Sequence, residues 1–236
     1  MAIEVFNRYE NKYLLDETVY RRVTQEILLH MERDSYNRNG QFYSIINLYY
    51  DTQNHSLIRN SLQKPVYKEK LRLRAYHPVK PEDMVFLEVK KKYHGLVNKR
   101  RTKIRMKDAQ QFVQTGEIPS DTTGMNLQVL HELSYLVQRR SFIPSAVISY
   151  DRMAYFEQNN PDLRISFDTN LRGRRTNLSL TSSQQTGELL LDPGLYLMEI
   201  KTRKAAPLWL AHLLNGEQLR KTSFSKYGSF YQKSFA

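Results

Sequence analysis

YKEKLRLRAY at residues 67–76 and MVFLEVKKKYHGLVNKRRTKIR at 84–105 decide how this chain is read. Side chains alternate between the two faces of a strand, so residues i and i+2 share one face. In the first run Lys68, Lys70, Arg72 and Arg74 fall on one face, with Leu71 and Leu73 on the other. In the second, Glu88, Lys90 and Lys92 stand against Leu87 and Val89, and further on Lys99, Arg101, Lys103 and Arg105 share a face with Val97. The same pattern recurs toward both ends. Arg8, Glu10 and Lys12 group near the start, and Glu199, Lys201 and Arg203 oppose Met198 and Ile200 near the finish.

The plain explanation of one such strand is a half-buried sheet with a solvated outer face. Taken together the strands resist it. They concentrate Arg and Lys where surface strands also use Thr, Ser and Gln. Like charges directly opposed on neighbouring strands cost up to about 1 kcal/mol per pair, unless an anion neutralises them. A Glu also recurs beside the bases, where a metal could use it. A barrel with its charged faces inward resolves the conflict: the lumen becomes a focused positive field for a polyanion, and the apolar faces turn outward under helices. About eight strands leave room for one linear ligand. The expected fold is therefore α+β, mainly β: an antiparallel eight-stranded β-barrel tunnel with helices packed outside, its lumen wet when empty.

Period-two stretches at 3–15, 43–51, 66–76, 84–92, 97–106, 146–156, 163–169 and 195–202 supply the eight strands. Helices are expected from an Asp16 cap to about Glu32, from Thr123 or Gly124 through Val137, and over Leu208–Leu214 with Pro207 as the first helical residue. No repeat or Pro-rich linker divides the 236 residues, so a single domain over 1–236 is expected. The net charge of +12 favours an anionic partner without choosing among nucleic acid, an acidic membrane and polyphosphate. The absence of Cys excludes disulfides, thiolate zinc sites and a Cys nucleophile. With no signal-peptide pattern and no apolar run of about 20 residues, the expectation is a cytoplasmic chain without a membrane segment.

RYENKYLL at 8–15, RLR at 72–74, FLEVKKKYHGLVNKRR at 86–101, SYDR at 149–152, LRISFD at 163–168, LMEIKTR at 197–203 and SKY at 225–227 follow one another in an order that resembles the VTC domain. That is the catalytic domain of the eukaryotic vacuolar transporter chaperone polyphosphate polymerases, found also as a small free-standing bacterial protein. It belongs to the triphosphate tunnel metalloenzymes, together with the CYTH proteins. The resemblance implies an eight-stranded antiparallel tunnel that transfers the ATP γ-phosphate to polyphosphate with Mn²⁺ or Mg²⁺. It implies phosphate or nucleotide contacts from Lys12, Arg72, Arg74, Lys90, Lys99 or Arg101, Arg152, Arg164, Lys201, Ser225 and Lys226. Glu199 is implied as the metal ligand, and with Lys226, Arg72 and Arg74 it makes up the implied catalytic set. Arg8, Glu10 and Glu88 fit the tunnel pattern but equally suit ion pairs with neighbouring bases.

The expected partners are ATP and inorganic polyphosphate, triphosphate or pyrophosphate. There is no GxxxxGK[ST], so ATP binding would have to use the tunnel, and the scattered His residues have no zinc spacing. DNA or RNA is not expected, since the aromatic-interleaved strands of RNA-binding sheets are missing. Two other functions fit the same sequence. One is a metal-dependent tripolyphosphatase or nucleoside triphosphatase, with water as acceptor. The other is a non-catalytic module that binds polyphosphate or nucleic acid.

Overall fold

The computed structural model describes residues 5–37, 39–157, 160–181, 186–203 and 205–234. Its strands are β1 (Val5–Leu15), β2 (Glu32–Arg33), β3 (Tyr43–Asp51), β4 (Tyr67–Ala75), β5 (Met84–Tyr93), β6 (Leu96–Arg105), β7 (Ile143–Glu157), β8 (Asn160–Arg174), β9 (Glu188–Leu189) and β10 (Tyr196–Thr202). The eight long ones each pair antiparallel with two others, in the order β1–β10–β8–β7–β3–β4–β5–β6 and back to β1. The two-residue β2 and β9 pair with β7 and β8. Alternation gives no warning of pieces that short.

The helices are α1 (Glu17–Ile27), α2 (Ser56–Leu62), α3 (Met106–Thr115), α4 (Leu127–Gln138), α5 (Leu208–Gly216) and α6 (Lys226–Ser234). Asp16 caps α1 by accepting a hydrogen bond from the Val19 N–H, a contact worth about 1 kcal/mol. The helix stops at Ile27, short of the expected Glu32, because Glu32 and Arg33 pair with Phe156 and Tyr155 of β7. α4 starts later than expected, behind Asn126, whose side chain accepts from the Val129 N–H. Pro207 lies one residue before α5 with an extended backbone, as its N-cap rather than its first turn.

The outward faces of the strands are apolar and covered. Leu71, Leu73, Leu87 and Val89 pack with Phe112 and Val113 of α3 and with Leu130 and Leu133 of α4. On the opposite side Ile165, Phe167, Met198 and Ile200 pack with Val23 and Ile27 of α1 and with Leu210 of α5. Each such side chain contributes roughly 1.5–3 kcal/mol on burial. α6 is placed differently. Its Tyr227 and Phe230 pack against Ile45, Tyr49, Ile148 and Tyr150, so this helix closes one end of the ring. Gly173 makes that seat possible, since a Cβ there would lie 2.3 Å from the Phe230 ring.

Candidate functional site

Directly paired residues in an antiparallel sheet point to the same side, so the register lays out the inner wall in rows. One row runs Tyr49, Arg72, Glu88, Arg101 across β3, β4, β5 and β6. The next runs Lys70, Lys90, Lys99. On the far wall Lys12 stands opposite Glu199, which stands opposite Ser166, while Glu10 stands opposite Lys201, which stands opposite Arg164. Arg152 pairs with Asp168 across β7 and β8. The ring thus brings to one lumen every predicted site residue whose side chain is described on these strands. Arg8 lies on β1 opposite Val97, and its side chain falls outside the described residues.

Two buried carboxylates organise the bases. Glu88 is fully buried and lies 2.7 Å from Arg72, 3.5 Å from Lys99, 3.9 Å from Arg74 and 4.0 Å from Arg101. Burial by itself would raise its pKa, but the surrounding cations, Arg74 foremost, hold it well below the usual carboxylate range. Glu199 lies 2.9 Å from Lys201, 2.9 Å from Lys226, 3.3 Å from Lys12 and 3.8 Å from Arg152. Burial pushes its carboxyl up as well, and Lys201 and Lys226 more than reverse that. Glu10 pairs with Lys90 at 2.6 Å. The sequence left Glu10 and Glu88 open between tunnel residue and ion-pair partner, and in the structure each is a lumen carboxylate paired with bases.

Lys226 enters from the first turn of α6. Its ammonium sits 2.6 Å from Asp168 and 2.9 Å from Glu199, over the Tyr150 ring at 4.7 Å. Burial would lower its pKa, yet the two carboxylates raise it above its ordinary value. The preceding segment crosses the same end of the lumen: Lys12 donates to the Phe224 carbonyl at 2.7 Å, and Lys70 donates to the Ser225 hydroxyl at 2.8 Å. Arg164 sits nearer the other end, half-exposed and paired with Asp34 at 2.6 Å.

Alternation puts Lys70 on the basic face without giving it a role. Its pKa is pushed down to about 7, first by burial and then by Lys12 and Lys90. Lys99 is likewise drawn down to about 7 by burial, against the pull of Glu88. Tyr150 and Asp168 also join the site, and both lie inside motifs, SYDR and LRISFD, whose arginines alone the sequence marks as candidates. Tyr150 is fully buried, and Arg74 and Arg152 outweigh burial to bring its phenol down to about 8.

A divalent ion finds a partial donor set here. Both oxygens of Glu199 already face ammonium groups, while the buried Ser166 hydroxyl directly opposite has no hydrogen-bond partner among the described residues. No group of three His, Asp or Glu side chains gathers among the described residues. An ion held here would have Glu199 as its carboxylate and would need phosphate oxygens to complete its shell. The donor set does not fit an all-protein cage.

The sequence profile of the VTC domain matches residues 7–235. No curated protein matches the chain. Among solved structures, a candidate adenylate cyclase from Bacillus halodurans superposes with a TM-score of 0.57 at 13% identity, covering 94% of this chain and 96% of its own. A second candidate adenylate cyclase, from Vibrio parahaemolyticus, gives 0.51 at 13% identity, with 98% and 99% covered. At that identity the likeness is one of fold. No helix among the described residues is long and apolar enough to cross a membrane.

Proposed function

The chain belongs to the VTC domain family, and on that footing we propose that it transfers the γ-phosphate of ATP to the end of a growing inorganic polyphosphate inside its lumen. It is a triphosphate-tunnel protein by family and fold. The observation that carries the phosphate reading is the row of Lys70, Lys90 and Lys99 on three adjacent inward faces. Glu10 and Glu88 offset the charge on Lys90 and Lys99 in the empty protein, but the bases of the lumen outnumber its carboxylates, and a phosphate chain neutralises the excess.

Phosphoryl transfer asks for positioning and charge neutralisation more than covalent chemistry. The bond between Pγ and the β–γ bridging oxygen breaks as a bond forms from the acceptor's terminal oxygen. ADP leaves and the chain grows by one phosphate. The acceptor oxygen is already anionic, so no general base is required. Arg72, Arg74 and Arg101 beside Glu88 would grip one part of the phosphate array. Lys12, Lys201, Lys226 and Arg152 beside Glu199 would grip the other, with Ser225, Lys90, Lys99 and Arg164 along the walls. Glu199 would hold a Mn²⁺ or Mg²⁺ brought in by phosphate, which supplies charge neutralisation at the transferring group.

The test is incubation with ATP and Mn²⁺ followed by chain-length analysis of the products. Polymer with stoichiometric ADP supports the reading. Orthophosphate without polymer overturns it in favour of hydrolysis, and tight polyphosphate binding without turnover reduces the protein to a binding module.

A further inference from the structure

The two ends of the lumen differ. On β7, Ser145 and Tyr150 meet α6, whereas Ala154, nine residues beyond Ser145, is held by Asn37. At that second end four rings gather: Tyr36, Tyr43, Tyr76 and Phe86. Tyr36 and Tyr76 lie nearly parallel (5°) with centroids 5.7 Å apart, Tyr43 stands 5.5 Å from Tyr36, and Phe86 meets Tyr76 edge-on at 5.9 Å. None of the four belongs to the family motifs quoted above except Phe86.

Three features argue for more than packing. Tyr36 keeps 64% of its surface exposed although its backbone is fixed. The fully buried Asn37 beside it accepts from the Ala154 N–H and donates to the Gln41 and Arg152 carbonyls. The rings also adjoin the bases. Phe86 precedes Glu88 and Tyr76 follows Arg74 by one i to i+2 step, about 7 Å along a strand, and Tyr43 pairs directly with Arg152. Finally, the Arg101 guanidinium lies over the Phe86 ring at 4.5 Å, joining the ring cluster to the Glu88 group.

We infer that Tyr36, Tyr43, Tyr76 and Phe86 form a stacking subsite for the base of the nucleotide whose phosphates lie among Arg74, Arg101 and Arg152. This deepens the proposed function and rests on it. Stacking on aromatic faces tolerates any base because every base has a π-face, so purine and pyrimidine triphosphates should both use it.

The test is calorimetric titration of the full chain with the β,γ-imido analogue of ATP and, separately, with tripolyphosphate. Tyr36→Ala should weaken the ATP analogue about tenfold and leave tripolyphosphate within about twofold, while Tyr36→Phe stays near wild type. Tyr76→Leu should repeat the pattern from the inner ring. Equal losses for both ligands, or no loss for the analogue, overturn the base subsite and leave the phosphate site standing. A wild-type protein that binds neither ligand overturns the phosphate reading itself, and the subsite with it.

Discussion

Glu199 lies within 4 Å of four cationic side chains, so its charge sets the balance of that whole wall. In Glu199→Gln the bases keep their grip on phosphate while the carboxylate proposed for the metal is lost. Turnover of ATP with Mn²⁺ should fall about a hundredfold, with tripolyphosphate affinity unchanged or tighter. Unchanged turnover, measured as kcat and KM separately, would remove Glu199 from the chemistry. Lys70 and Lys99 give a pH prediction. Their folded pKa of about 7 lies below the usual lysine value, as does that of Lys201 at about 8. A bound polyanion restores the charged form, so binding takes up protons between about pH 7 and the ordinary lysine range near 10. Affinity for tripolyphosphate should therefore fall as pH rises from 7 to 9. Titrations in buffers of different ionisation enthalpy should report proton uptake at pH 8. The sign for folding is the opposite: over the same window the unfolded chain holds more protons, so these three lysines make the empty protein more stable as pH rises.

At the scale of elements, the long amphipathic strands and the helix behind Asp16 were legible, because period-two alternation and an Asp cap are local signals, whereas α4 was legible as a helix but its Asn126 cap was not. α2, α3 and α6 were not. α2 begins where Asp51, at the end of β3, accepts from the Leu57 and Ile58 N–H groups, a cap set by the strand's position. α3 follows β6 without any intervening turn residue. α6, KYGSFYQKS, has little stripe of its own and is fixed by Tyr227 and Phe230 in the end of the ring. The bases of β1, β4, β5, β6 and β10 were legible for the same reason as the strands, Arg152, Arg164 and Lys226 only through the family resemblance, and Tyr150 and Asp168 became visible only when α6 placed Lys226 beside them. The Gly173 seat tests this dependence. Gly173→Ala pushes a Cβ into Phe230, an overpacking that costs about 1–3 kcal/mol. It should lower the melting temperature and weaken tripolyphosphate binding by displacing Lys226. A Phe230→Leu partner substitution should recover part of both losses. A Gly173→Ala protein with full affinity would detach α6 from the site.

At the scale of the whole molecule, the ring stores like charges that a ligand relieves, so stability and binding are linked. Tripolyphosphate should raise the melting temperature, and go on raising it logarithmically with concentration above its Kd, by less as salt screens the lumen's mouth. A ligand held on the basic outer surface would lose nearly all its effect at about 1 M salt, where screening reaches only about 3 Å. The central claim is that a linear phosphate chain lies inside the ring, between the Glu88 and Glu199 groups. A crystal structure of the tripolyphosphate complex tests it most directly. The account predicts phosphorus atoms along the lumen, within hydrogen-bond reach of Arg72, Arg74, Arg152 and Lys226. Phosphate bound only on the outer face, with the lumen bases unchanged, would contradict it.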